Sequence, residues 1–173
     1  MQVSTIRFVG AILLCWSLTY VSLMAQPVNE RSQELPRVFV IGEFEKEYEA
    51  LMSDYSSSLL DECGHDMTQA FDLWVGFVEE MEAYSQQSGF ELSGVKAWFH
   101  VFFKKDGTIP RIGFHLKPTS RNVDTEAMVD FLSQFIDQYR FPFSSLHDYS
   151  NYTSVSFPTM YNRPYPGNDS GGK

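Results

Sequence analysis

The sequence predicts an α+β domain in which helices cover a three-stranded antiparallel sheet, in the order helix-helix-strand-strand-helix-strand. Two observations predict this class. Apolar residues recur with helical spacing in two segments before residue 90 and again after residue 124, and between these segments they alternate with a period of two. A sheet of three strands cannot bury its apolar face alone, so the helices are expected to cover it. The predicted domain spans residues 43–160.

Two helices are predicted before the sheet. The first has a continuous apolar face over residues 44–59, and the second has one over residues 67–84. Asp66 is in position to cap the first turn of the second helix, and Gly89 is in position to end it. The charged and polar residues between the apolar positions are typical of the solvated side of a helix.

The sheet is predicted to begin with two strands that form a hairpin. Residues 95–103 alternate, and Asp106-Gly107 then provides a strong short-range hairpin signal. The returning strand is expected over residues 109–116. The predicted core face of the first strand consists of Val95, Ala97, Phe99, Val101 and Phe103.

A third helix and a last strand complete the predicted domain. Asp124 is in position to cap this helix, whose apolar face runs to Tyr139, and Pro142 follows its end. The last strand is expected over residues 152–157, and the polar segment 161–173 is interpreted as a disordered tail. The core beneath the third helix is expected to contain Phe99, Val101, Ile112, Phe131, Phe135 and Val155.

The N-terminus has the pattern of a secretory signal peptide, residues 1–25. Arg7 is its only charge, an uncharged apolar run follows, and Ala25 is the small residue before the expected cleavage point. The protein is therefore expected to be periplasmic or secreted, with no stable membrane insertion after cleavage. An uncleaved anchor remains the alternative, because the apolar run is only a little short of the ~20 residues that cross a bilayer. The polar residues 26–42 are interpreted as a linker.

The charge and the motifs of the sequence reduce the number of functional classes that are expected. The formal net charge of −9 opposes binding to nucleic acid, whose phosphates are negative. After removal of the signal peptide, Cys63 is the remaining cysteine, so no internal disulfide is expected. The sequence contains no GxSxG, HExxH, CxxC or Walker pattern. A non-enzymatic domain without cofactor or metal is therefore expected.

The motifs between residues 94 and 158 follow a particular order. A glycine opens an alternating strand, a DG turn leads to a second strand, and a helix, an aromatic-proline step and a last strand follow. In this order residues 94–158 resemble the C-terminal domain of TonB-type energy transducers, with Gly94, Asp106-Gly107 and Phe141-Pro142 at the corresponding steps. The resemblance implies a periplasmic, non-enzymatic domain whose last strand pairs with a peptide from an outer-membrane receptor.

The first functional hypothesis is an interaction module for a protein or peptide of the cell envelope. A last strand at the edge of the sheet would have unpaired N–H and C=O groups, to which an extended peptide can add. The strand has no charged residue to prevent this. The candidate binding residues are Tyr152, Thr153, Ser154, Val155, Ser156 and Phe157.

Two other candidate sites are open. If Asp106 and Gly107 are the central residues of the turn, Trp98 pairs with His115. His100 then lies on the same sheet face, and a secreted enzyme or small-ligand-binding protein could use Trp98, His100 and His115 as the floor of a pocket.

Separately, a small anion could bind before the third helix, whose N-terminus attracts negative charge. The residues for this second site are Lys117, Arg121 and Asn122.

Overall fold

The computed structural model describes residues 34–160, so the signal peptide predicted for residues 1–25 and the tail predicted for residues 161–173 lie outside the described residues. The α+β class is confirmed. None of the helices within this range has the length and apolar character that a bilayer crossing requires. In chain order the elements are β1 (Val38–Val40), α1 (Glu45–Asp54), β2 (Ser57–Ser58), α2 (Leu59–Glu62), α3 (Met67–Ser88), β3 (Lys96–Phe103), β4 (Arg111–Leu116), α4 (Thr125–Gln138) and β5 (Tyr149–Ser156).

The sheet is larger than predicted. Within the described residues it has five strands in the order β1-β4-β3-β5-β2, and it is mixed instead of purely antiparallel. Its centre is the predicted unit, with β3 antiparallel to β4 on one side and to β5 on the other. The two short strands are additional, because β1 pairs in parallel with β4 and β2 in parallel with β5.

Strand β1 corrects the interpretation of residues 34–42 as part of a linker, whereas residues 26–33 of the predicted linker lie outside the described residues. Val38 and Val40 pair with Ile112 and Phe114 of β4, and Val38 and Phe39 are buried. A run of three apolar residues is too short to show a period in the sequence, and β1 exists because β4 offers it a partner. Strand β2 consists of two serines and has no apolar signal in the sequence either, and its pairing partner is β5.

The hairpin between β3 and β4 has the predicted register but a different turn. Trp98 pairs with His115, as expected. The amide of Gly107 donates to the carbonyl of Lys104, and the amide of Lys104 donates to the carbonyl of Thr108, each at 2.8 Å. With a φ of 83° at Gly107, this is a three-residue loop with a G1 bulge. A Cβ atom at Gly107 would lie 2.2 Å from the carbonyl oxygen of Phe141, so the position requires glycine.

The caps predicted for the second and third helices are confirmed. The carboxylate of Asp66 accepts hydrogen bonds from the amides of Thr68 and Gln69 at the start of α3, and Gly89 ends α3 in the left-handed conformation. Asp124 caps α4 by accepting from the amide of Ala127 at 2.8 Å. These helix ends depend on local chemistry, which the sequence shows directly.

The first predicted helix is interrupted. Helix α1 ends at Asp54, and Leu59 begins the separate α2. Tyr55 packs against Phe102 on one face of the sheet, whereas Leu59 is buried in the main core on the other face. The chain therefore crosses the sheet edge at β2, and two different cores bury what the sequence shows as one continuous apolar face.

Two apolar clusters lie on opposite faces of the sheet. Helices α3 and α4 contribute to the main core, which contains the residues expected beneath the third helix, from Phe99 to Val155. Helix α1 covers part of the other face and forms the smaller cluster with the strands. This second cluster consists of Leu35, Phe39, Leu51, Tyr55 and Phe102.

We predict that Phe131→Ala lowers the free energy of unfolding by about 3–5 kcal/mol, because it leaves a cavity in the main core. The ring of Phe131 is 4% exposed and stacks on Phe90 with a centroid distance of 4.5 Å. Urea denaturation measures the change. Met67 at the start of α3 is 66% exposed, so Met67→Ala is the matched control and should change the stability by at most about 0.5 kcal/mol. Equal effects of the two substitutions would contradict the packing of α4.

Candidate functional site

The outer side of β5 is an open strand edge. The amide of Phe157 donates to the carbonyl of Val95 at 2.8 Å, which fixes the alternation along the strand. Thr153 and Val155 therefore direct their main-chain groups toward β3. The N–H and C=O groups of three other residues point away from the sheet, and within residues 34–160 no strand pairs with them. These residues are Tyr152, Ser154 and Ser156.

This edge has a defined beginning and end. Strand β2 covers Tyr149 and Ser150, which precede it. At the other end Pro158 has no N–H group and cannot continue a ladder. The open edge thus coincides with residues 152–156, which lie inside the segment 152–157 expected from the sequence.

The carboxylate of Glu62 holds β2 in place. It accepts hydrogen bonds from the hydroxyl of Ser57 at 2.7 Å, from Nδ1 of His147 at 3.1 Å and from the amide of Leu146 at 3.3 Å. The bond from Ser57, followed by those from His147, lowers the pKa of Glu62 although burial opposes this. Glu62 therefore ties β2 to the segment that enters β5. The sequence has no signal for this residue, because its partner His147 lies 85 positions away.

An aromatic pair and a lysine flank the open edge on the α1 side of the sheet. The rings of Trp98 and Tyr152 stack with a centroid distance of 5.3 Å and an interplanar angle of 13°. The ammonium group of Lys117 lies 4.9 Å from the centroid of the Trp98 ring and donates a hydrogen bond to the hydroxyl of Ser154. Trp98 and Tyr152 remain 37% and 53% exposed. We call Trp98, Tyr152, Ser154 and Lys117 the flanking surface.

The histidines of this face are in different environments. His100 is 7% exposed, and its Nδ1 atom is 2.7 Å from the hydroxyl of Tyr48 in α1. Burial lowers the pKa of His100 to about 4, so its ring is neutral at neutral pH. His115 is exposed. Among the described residues no cluster of three His, Cys, Asp or Glu side chains could hold a metal ion. His100 therefore supports the packing of α1 and is not available as the floor of an open pocket.

The structure gives different partners to the residues of the candidate anion site. Lys117 is directed to Ser154, whereas the Arg121 guanidinium donates to the carbonyls of Ser93 and Glu91. Asn122 is exposed. The carboxylate of Asp124 already occupies the N-terminus of α4. Anion binding by Lys117, Arg121 and Asn122 stays a prediction, and the described contacts do not direct these side chains to one common point.

Comparison with known proteins found no relative from which a function could be inferred. No family model matches the chain, and neither a curated protein nor a solved structure matches it. The fold and the site define an α+β domain with an open strand edge beside an aromatic and cationic surface. Function is therefore inferred from the atoms around β5.

We predict that the protein loses about 2 kcal/mol of unfolding free energy between about pH 7.5 and about pH 5 because His100 is buried and neutral. Its pKa in the folded protein, about 4, lies below that of an unfolded chain, about 6.5. The contribution of neutral His100 to the free energy of unfolding is fully present above the pKa of the unfolded chain. It is lost as the pH falls toward the pKa of His100 in the folded protein. Urea denaturation at both pH values measures it.

The control for this prediction is His100→Gln, which removes the buried titrating ring and retains a polar side chain. The exposed His65, His115 and His147 are present in both proteins. The loss of stability between the two pH values should be smaller by about 2 kcal/mol in the variant. Equal losses would show that His100 is accessible to protons in the folded state.

Proposed function

We propose that this protein is an exported, non-enzymatic interaction module that adds an extended peptide from a cell-envelope protein as a further strand beside β5. The observation that carries this proposal is the row of outward N–H and C=O groups at Tyr152, Ser154 and Ser156. Main-chain groups of this kind supply affinity in strand addition, and side chains on either face supply selectivity.

In the part of the chain that the structure describes, residues 152–156 have no covering strand on their outer side. Natural edge strands are commonly blocked by a charged side chain, a proline, a bulge or a covering element. Residues 152–157 contain none of the charged types, and Pro158 comes only after them. Strand β2 does cover the beginning of β5, but it ends its pairing at Ser150. The remaining edge has room for a peptide of about five residues at ~3.4 Å per residue.

The resemblance to the C-terminal domain of TonB-type transducers also supports the addition of a peptide strand beside β5. The order β3, turn, β4, α4 and β5 is the order on which that resemblance rests. In that family the last strand pairs with a peptide from an outer-membrane receptor. A TonB-C-like fold and a periplasmic or secreted location, from the signal peptide at residues 1–25, are parts of this proposal.

We predict that Ser154→Pro weakens peptide binding at least about tenfold, because proline removes an outward donor and its ring crowds the incoming strand. The probes are synthetic heptapeptides that are first selected from a random display library on the purified protein. Fluorescence anisotropy measures their affinity. Ser154→Ala is the matched control, since it retains the N–H group, and its affinity should stay within about threefold of the unsubstituted protein.

Circular dichroism must show that the Ser154→Pro protein is folded. Undiminished binding by that folded variant, or a library from which no peptide is enriched, would contradict strand addition. A second measurement needs no substitution: a bound peptide should slow hydrogen exchange at the amides of Tyr152, Ser154 and Ser156. If these amides exchange equally fast with and without the peptide, binding occurs elsewhere and the proposal is wrong.

A further inference from the structure

We infer that the peptide received by β5 carries a carboxylate side chain, which pairs with Lys117 on the flanking surface, and an apolar side chain two residues away, which packs on Tyr152. This inference rests on the proposed function and names the chemistry of its partner. It follows from the position of Lys117, from the charges on this face of the sheet and from the exposure of Tyr152.

The Lys117 ammonium group lies where a peptide side chain would arrive. A peptide residue directly opposite Ser154 directs its side chain to the same face as Ser154, with the two Cβ atoms about 5 Å apart. The hydroxyl of Ser154 is the hydrogen-bond acceptor of Lys117. One of the three donors of the ammonium group is used in this bond, which leaves two for an incoming carboxylate.

Within residues 34–160, no carboxylate pairs with Lys117. The side chains that the longer strands direct to this face include Lys96, opposite Ser156, and none of them is acidic. Lys117 follows the last residue of β4, and its amide donates to the carbonyl of Lys96. This differs from the chain as a whole, whose formal charge is −9. Helix α1, which covers another part of this face, carries acidic residues, so the attraction for a peptide carboxylate comes from Lys117 itself. Charges farther than about 8–10 Å are screened at physiological salt.

Tyr152 offers an aromatic surface to a second side chain of the peptide. Tyr152 and Ser154 are two residues apart on β5, so the peptide side chains opposite them are also two residues apart and share a face. Tyr152 is 53% exposed, although its ring already stacks on Trp98. An apolar side chain at this place would bury part of the aromatic surface. The preferred peptide thus has an acidic and an apolar residue at alternate positions.

A second copy of the chain fits this edge less well than an acidic peptide. If two β5 strands paired antiparallel with Ser154 opposite Ser154, the two Lys117 ammonium groups would be brought side by side. Like charges in directly opposed positions destabilise a strand pair. The charge at this edge therefore favours a partner with a carboxylate.

The experiment compares each selected heptapeptide that contains Glu with the same peptide containing Gln. For the unsubstituted protein the Glu peptide should bind about three- to fivefold more tightly at low salt, as expected for a partly exposed ion pair, and the difference should shrink at about 0.5 M salt. Lys117→Gln, which retains a hydrogen-bond donor for Ser154, should abolish the difference. Lys117→Arg should retain it.

Lys105→Gln is the matched control for net charge. Lys105 is exposed in the turn after β3, so this variant loses the same unit of charge away from the flanking surface and should retain the preference for Glu.

Three results would overturn the inference while strand addition stands. They are equal affinity for the Glu and Gln peptides, enrichment of peptides without acidic residues, and a preference for Glu that persists in Lys117→Gln. If no heptapeptide protects the amides of β5, the proposed function itself fails. Dimerisation that Ser154→Pro abolishes would show that a second copy occupies the edge and would also overturn the inference.

Discussion

The rest of the structure depends on the burial of β3 from both sides. Val101, Phe102 and Phe103 are consecutive and fully buried, although their side chains alternate between the two faces of the sheet. Each face of this strand therefore needs a covering layer. Helices α3 and α4 supply it on the side of Val101 and Phe103, and α1 supplies it on the side of Phe102. The path of the chain around the sheet edge follows from this requirement.

The candidate site lies where this covering ends. Helix α1 packs on Phe102 and reaches His100 through Tyr48, but the Trp98 end of the face stays partly exposed. The outer edge of β5 is open beside this same region. Among residues 34–160, two consequences of one topology therefore meet at Trp98 and Tyr152: a partly exposed sheet face and a strand edge without a partner. Lys117 adds a positive charge at their junction.

The last strand was predicted over residues 152–157 from its place in the order of elements, and in the structure it extends over Tyr149–Ser156. Alternation in the sequence cannot tell which N–H groups point outward, because this depends on the register with β3. Lys117 was expected to take part in an anion site before α4. In the structure its ammonium group donates to Ser154, since the β3–β4 hairpin places Lys117 beside the stacked rings, and anion binding stays a prediction. Its cationic character was evident in the sequence, but its neighbours were not.

The sequence by itself determined the α+β class, the ends of α3 and α4 and the six core residues expected beneath α4. Each of these depends on local spacing, a cap or a turn residue, which act over a few positions along the chain. The tertiary structure alone decided the strands β1 and β2, the break between α1 and α2, the burial of His100 and the anchoring role of Glu62. These features join residues far apart in sequence, and their free energy comes from partners that only the folded sheet brings within contact distance.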